Sequence, residues 1–130
     1  MVKTQGAVHS FRDLRVWQAG MDLVEEIYKI TCTFPNRELF GLTSQIQRAA
    51  VSVTSNIAEG HTRAHLKEYL HHLSTAQASL SELETQLEIA SRLKYLTIEQ
   101  LDQILEQTAS LGRQLYSLRN ALIKNPAPGT

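Results

Sequence analysis

His65, Glu68 and His72 are the residues whose types and spacing come closest to a metal site. Two imidazoles and a carboxylate at i, i+3 and i+7 share one helical face and suit zinc or iron. A His-rich polar face accounts for the same pattern without an ion. The Glu-x-x-His pair of a di-iron bundle must also recur on a facing helix, and here it occurs once. No metal and no cofactor are assigned. Glu82, Glu84 and Glu88 could do acid–base work, but they fall outside the leucine seam of their helix and read as a solvated face. Cys32, the sole cysteine, has only Lys29 as a nearby base and reads as a small buried or half-buried residue. The chain has no Gly-rich phosphate loop, HExxH, CxxC or nucleophile elbow. No nucleophile, base and orienting group assemble from these motifs, so no catalytic residue is assigned and the chain is expected not to be an enzyme.

A different chemistry is offered by Gln45 to Gly60, QIQRAAVSVTSNIAEG. Ile46, Ala49, Ala50, Val53 and Ile57 recur at threes and fours and make one apolar face. Gln45, Arg48, Ser52, Asn56 and Glu59 form a second stripe, roughly 100° round the helix. Uncharged amides and a hydroxyl between an arginine and a glutamate are suited to being hydrogen-bonded, whether by neighbouring helices, another subunit or a ligand. The register-fixing structural role is preferred. Arg12, Arg15, Arg48, Arg63 and Lys67 are the candidates for a nucleic-acid contact.

The elements that position these residues are helical throughout. Ser10 with Asp13 is expected to start the first helix as a capping pair, and Pro35 to end it. Along it run two apolar rows, Leu14/Trp17/Met21/Val24/Tyr28 and Val16/Leu23/Ile27/Ile30/Phe34. Together they make about half the helix apolar, where a bundle helix needs a stripe of little more than 100°. One row should fill the core. The other, taken as Val16, Leu23, Ile27 and Ile30, is expected to meet another copy together with Gln45, Arg48, Ser52, Asn56 and Glu59. The second helix should run from about Leu42 to Glu59 and stop at Gly60. The third carries Leu66, Tyr69, Leu73, Ala76, Leu80, Leu83, Leu87 and Ala90 in unbroken threes and fours. Thr97 with Gln100 is a capping box that opens the fourth, which buries Leu101, Ile104, Thr108, Leu111, Leu115, Leu118 and Leu122. Short connections and no strand signal give an all-α, up-down-up-down antiparallel four-helix bundle over residues 10–124. Flexible tails are expected at 1–9 and 125–130.

The 130 residues include 42% hydrophobic and 20% charged types, enough for one domain with a core. Thirteen basic and thirteen acidic residues cancel, at a pI near 7.0. Neutrality argues against strong non-specific attraction to nucleic acid and leaves room for a local basic patch. No apolar run approaches the ~20 residues of a membrane span, and no signal segment opens the chain, so a cytoplasmic, non-membrane protein is expected.

The residue pattern resembles the four-helix-bundle family of proteins encoded by 23S ribosomal RNA intervening sequences. That family includes the accessory variability determinant of diversity-generating retroelements. The resemblance is carried by Phe11-Arg12-Asp13-Leu14, Val16-Trp17-Gln18, Phe34-Pro35, Glu38 and Gly41-Leu42. It continues through Gln45-Ile46, Arg48-Ala49-Ala50, Val51-Ser52-Val53, Asn56-Ile57-Ala58-Glu59-Gly60 and Arg63 to Ser79-Leu80 and Glu82-Leu83-Glu84. The Asn-Ile-Ala-Glu-Gly block is its most specific part. The resemblance implies a ring-like homopentamer without catalytic residues. In the retroelement branch it also implies a basic barrel that binds nucleic acid and a partner reverse transcriptase. The chain departs from the pattern in its neutral charge, at His65, where a Ser or Thr cap is usual, and at Ala78, where glycine is usual. A non-catalytic pentameric scaffold or adaptor for an RNA-related or reverse-transcription partner is the function expected. Direct, weak binding of RNA or DNA is the alternative, and a metal-dependent activity stands behind both.

Overall fold

Periodicity in threes and fours does produce helices. The computed structural model describes residues 10–125 and contains α1 (Arg15–Thr31), α2 (Leu42–His61), α3 (Leu66–Arg92) and α4 (Ile98–Lys124). Short 3-10 turns at Phe11–Asp13 and Asn36–Glu38 precede α1 and α2. No strand occurs among the described residues. The tail expected at 1–9, and that at 125–130 beyond Asn125, lie outside them. Each helix packs on its neighbours in sequence, α4 returns to α1, and α2 with α3 share the most extensive contact. This is the antiparallel four-helix bundle.

The centre holds Leu23 and Ile27 of α1, Ile46, Val53 and Ile57 of α2, Leu73, Leu83 and Leu87 of α3, and Ile104, Leu111 and Leu115 of α4. All are essentially free of solvent, and burial of each such side chain stabilises the fold by roughly 1.5–3 kcal/mol. None of the described helices is long and apolar enough to cross a membrane.

Three boundaries differ from the sequence expectation. Ser10 caps the short turn, accepting from the Arg12 backbone N–H at 3.1 Å, and the extended Leu14 separates that turn from α1. The first helix ends at Thr31, whose hydroxyl bonds back to the Ile27 carbonyl at 2.8 Å, some residues before Pro35 acts. Gly60 does not stop α2, which continues through it to His61.

Gly60 has another reason to be glycine. A Cβ there would lie 2.9 Å from the His72 Cβ and 3.3 Å from the Tyr69 carbonyl, so its absence lets α2 and α3 close together. Gly20 does the same between α1 and α2, where a Cβ would meet the Thr54 hydroxyl at 2.7 Å.

The structure corrects the assignment of the two rows of α1. Val16, Leu23 and Ile27 are buried within a single chain, so they are core residues and not a surface for a neighbour. Ile30 is half-buried beside a groove between α1 and α4. The row that faces outward is the other one, with Met21 40% and Tyr28 48% exposed and Trp17 and Val24 half-buried. The line Val16–Gly20–Leu23–Ile27–Thr31 is innermost because Gly20 brings that line against Thr54 of α2.

Candidate interaction surfaces and a polar relay

The polar stripe of α2 divides in two. Ser52 and Asn56 turn toward α3, while Gln45, Arg48 and Glu59 are exposed. The Ser52 and Ser79 hydroxyls lie 2.8 Å apart, and the Asn56 side-chain amide donates to the Ser52 carbonyl at 2.9 Å and to its Oγ at 3.3 Å. The Asn56 Oδ1 is 3.0 Å from His72 Nδ1, and Arg63 Nε donates to His72 Nε2 at 3.3 Å. Arg63 can only donate, so Nε2 must accept, and the His72 ring proton sits on Nδ1, where it donates to Asn56. The relay Arg63–His72–Asn56–Ser52 therefore has one direction, and it continues to Ser79 through a hydroxyl pair in which either oxygen can donate. Ser52 and Asn56, expected at an oligomer interface or between helices, are used inside the chain between α2 and α3.

His65, Glu68 and His72 do not converge. His65 and Glu68 are exposed, and both His72 nitrogens are taken by Asn56 and Arg63. Among the described residues, no three His, Cys, Asp or Glu side chains group closely enough to hold a metal ion. The relay gave no metal-like signal in sequence. Its trace was Asn56 and Gly60, one turn apart, both of which address His72.

Two further readings are corrected. Glu84 is not on a solvated face, because its carboxylate accepts from the buried Thr108 hydroxyl at 2.7 Å and ties α3 to α4. Cys32 is exposed at the end of α1, since the helix stops before it and no element covers it.

The candidate nucleic-acid residues fall into two groups. Arg12, Arg15, Arg63 and Lys67 are exposed at the end where α1 and α3 begin and α2 finishes. Arg12 stacks over the Phe11 ring at 4.6 Å, and Phe11 meets Trp17 edge-on at 5.3 Å. His61 lies in this end too, against Tyr69 at 5.9 Å between ring centres. Burial lowers the His61 pKa, with nearby Asp13 opposing, and pushes the Tyr69 hydroxyl up to about 12. Arg48 stands apart, mid-helix, in a groove of about 510 Å³ lined by Tyr28, Ser44, Gln47, Val51 and Ser52.

At the opposite end the turns are tightly built. Glu38 Oε1 accepts from the Leu42 backbone N–H at 3.1 Å, capping α2, and Oε2 accepts from the Tyr95 hydroxyl at 2.9 Å. These two bonds hold the Glu38 carboxyl below its ordinary pKa, the backbone bond contributing more.

Comparison with known proteins agrees with this architecture. A crystal structure of a protein with unknown function from the S23 ribosomal protein family of Bacteroides thetaiotaomicron VPI-5482 superposes with a TM-score of 0.75. The two are 24% identical over 81% of this chain and 95% of that one, which speaks for the fold. No curated protein matches the chain. The family described as 23S rRNA-intervening sequence protein matches residues 12–117, nearly all of the bundle, and the chain belongs to that family.

Proposed function

We propose that the chain is a non-catalytic, homopentameric helical scaffold or adaptor that serves an RNA-related or reverse-transcription partner. One observation carries the reading. The outward row of α1 exposes Met21 and Tyr28, and Tyr28 shares a groove with Arg48 and Val51 of α2, the latter itself 40% exposed. Apolar side chains on two adjacent, well-packed helices are the mark of an interface, and Tyr and Arg are the residue types that anchor one. Of the polar groups weighed for chemistry, Ser52, Asn56, His72 and Glu84 are engaged between helices. A heterologous contact between two different patches closes into a ring when the rotation permits, and the family resemblance supplies the number five. Tyr28→Asp should disperse the assembly while leaving helix content unchanged. A Tyr28→Asp protein that stays assembled would contradict the placement of the interface.

A second reading is direct nucleic-acid contact, favoured by Arg12, Arg15, Arg63 and Lys67 lying at one end of the bundle. In a cyclic ring every copy has the same orientation, so such ends gather on one face and multiply a modest local charge. Binding should be weak and fall steeply with salt. Sub-micromolar, salt-insensitive affinity at ~150 mM would contradict it.

A further inference from the structure

We propose that the cavity between the α2–α3 turn and the first turns of α3 binds a phosphate dianion, the group shared by free phosphate, nucleotides and phosphorylated nucleic-acid ends. The proposal rests on the second reading above only in treating the basic end as an anion-binding surface. The cavity, about 350 Å³, is lined by Arg63, Lys67, Glu68, His71 and His72. That volume falls within the range of small-ligand sites, ~300–1,000 Å³.

The way Arg63 is held is the central observation. It donates through Nε to His72 Nε2 at 3.3 Å, and among the described residues no carboxylate lies within ion-pairing distance of it. Its two terminal amino groups remain for a ligand, in the fork geometry that matches phosphate oxygens. Lys67 likewise has no ion-pair partner among the described residues and supplies a second, point-like charge.

The anchor is not a chance contact of mobile side chains. His72 is oriented by Asn56, Asn56 by Ser52, and Ser52 by the buried Ser79. Gly60 lets α3 approach α2 closely at the His72 Cβ and the Tyr69 carbonyl. Arg63 thus stands at the exposed tip of a relay that begins in the helix interface, which preorganises a cation otherwise free to wander. His65 provides no side-chain cap at the start of α3, whose first turn carries Lys67 and Glu68 of the cavity lining. Glu68 opposes, its carboxylate lining the same cavity. His72 and Asn56 are positioning residues, while Arg63 and Lys67 would touch the ligand.

Calorimetric titration of the full chain with inorganic phosphate, at low ionic strength and neutral pH, tests this. One saturable site per chain is expected. Arg63→Ala should weaken it at least tenfold, Asn56→Ala severalfold, and Glu68→Gln should tighten it severalfold. All three positions are exposed or half-buried, so the variants should keep the fold. Nitrogen NMR of the imidazoles gives an independent readout: His72 should hold its Nδ1-protonated form in the wild type and lose it in Asn56→Ala. Short oligonucleotides with and without a 5′-phosphate separate the sources. Preference for the phosphorylated end, lost in Arg63→Ala, supports a nucleic-acid end as ligand. Phosphate binding without that preference supports free phosphate or a nucleotide. No saturable phosphate binding, or binding that Arg63→Ala and Glu68→Gln leave unchanged, overturns the proposal. Oligonucleotide binding that persists in that event would leave the general nucleic-acid reading standing.

Discussion

Lys94 adopts φ 69°, in the left-handed region, because the turn out of α3 closes with two reversed hydrogen bonds. The Tyr95 N–H reaches the Ala90 carbonyl at 2.9 Å and the Lys94 N–H reaches Ser91 at 3.0 Å, the pattern that usually recruits glycine at this position. A side chain there costs ~1–2 kcal/mol, part of which glycine's greater freedom in the unfolded chain would return. Lys94→Gly should therefore raise stability by about 0.5–1 kcal/mol, measured by denaturant midpoint at constant slope. The sequence concealed this turn, since no glycine marks it between the leucine row of α3 and the Thr97 capping box. Glu38 was equally hard to read, because Tyr95 lies 57 positions away. The folded carboxyl binds its proton less readily than the unfolded one. Its stabilising contribution is therefore present above the ordinary value of 4.5 and fades as pH falls through the lower folded value. Glu38→Gln should flatten the acid limb of the stability profile below pH 4.5, and an unchanged limb would show that other carboxyls dominate it.

Helix existence was legible wherever the spacing was clean. Thr97 with Gln100 forms the capping box as read, with bonds of 3.1 and 2.9 Å, and α3 keeps its leucine row inward. Helix α1 was not legible in the same way, because its two rows are equally apolar and the pattern alone cannot say which is innermost. Gly20 held the answer: a residue without a side chain marks where another helix comes close, and the column through it is the buried one. Ile27→Asp should thus abolish folding by placing a charge in the core, in contrast with the folded but dispersed Tyr28→Asp. Gly60 has the residue type of a helix stop and is instead a contact between helices. Alanine there gains ~1 kcal/mol of helix propensity but must push α3 away at the His72 Cβ and the Tyr69 backbone, an overpacking cost of ~1–3 kcal/mol. Gly60→Ala should lower stability by up to about 2 kcal/mol and loosen the Asn56–His72 bond, visible as faster exchange of the His72 ring proton.

Over the whole molecule, neutrality hides an uneven distribution. Arg12, Arg15, Arg63, Lys67 and Lys124 outnumber Asp13, Glu59 and Glu68 toward the end where α1 and α3 begin, whereas the other end mixes Glu25, Glu26, Glu88, Glu99 and Asp102 with Lys29, Arg37, Arg92 and Lys94. Net charge could not reveal this, because it depends on which helix termini the antiparallel topology brings together. In the proposed ring, bundles aligned with the symmetry axis would repeat the more basic end on one face. That consequence depends on the ring. Its mass in solution is therefore the most direct test, read by sedimentation equilibrium or light scattering across the micromolar range. Five chains of 14.6 kDa should give a single species of about 73 kDa whose mass does not change on dilution. A stable species of 14.6 kDa at micromolar concentration would contradict the account.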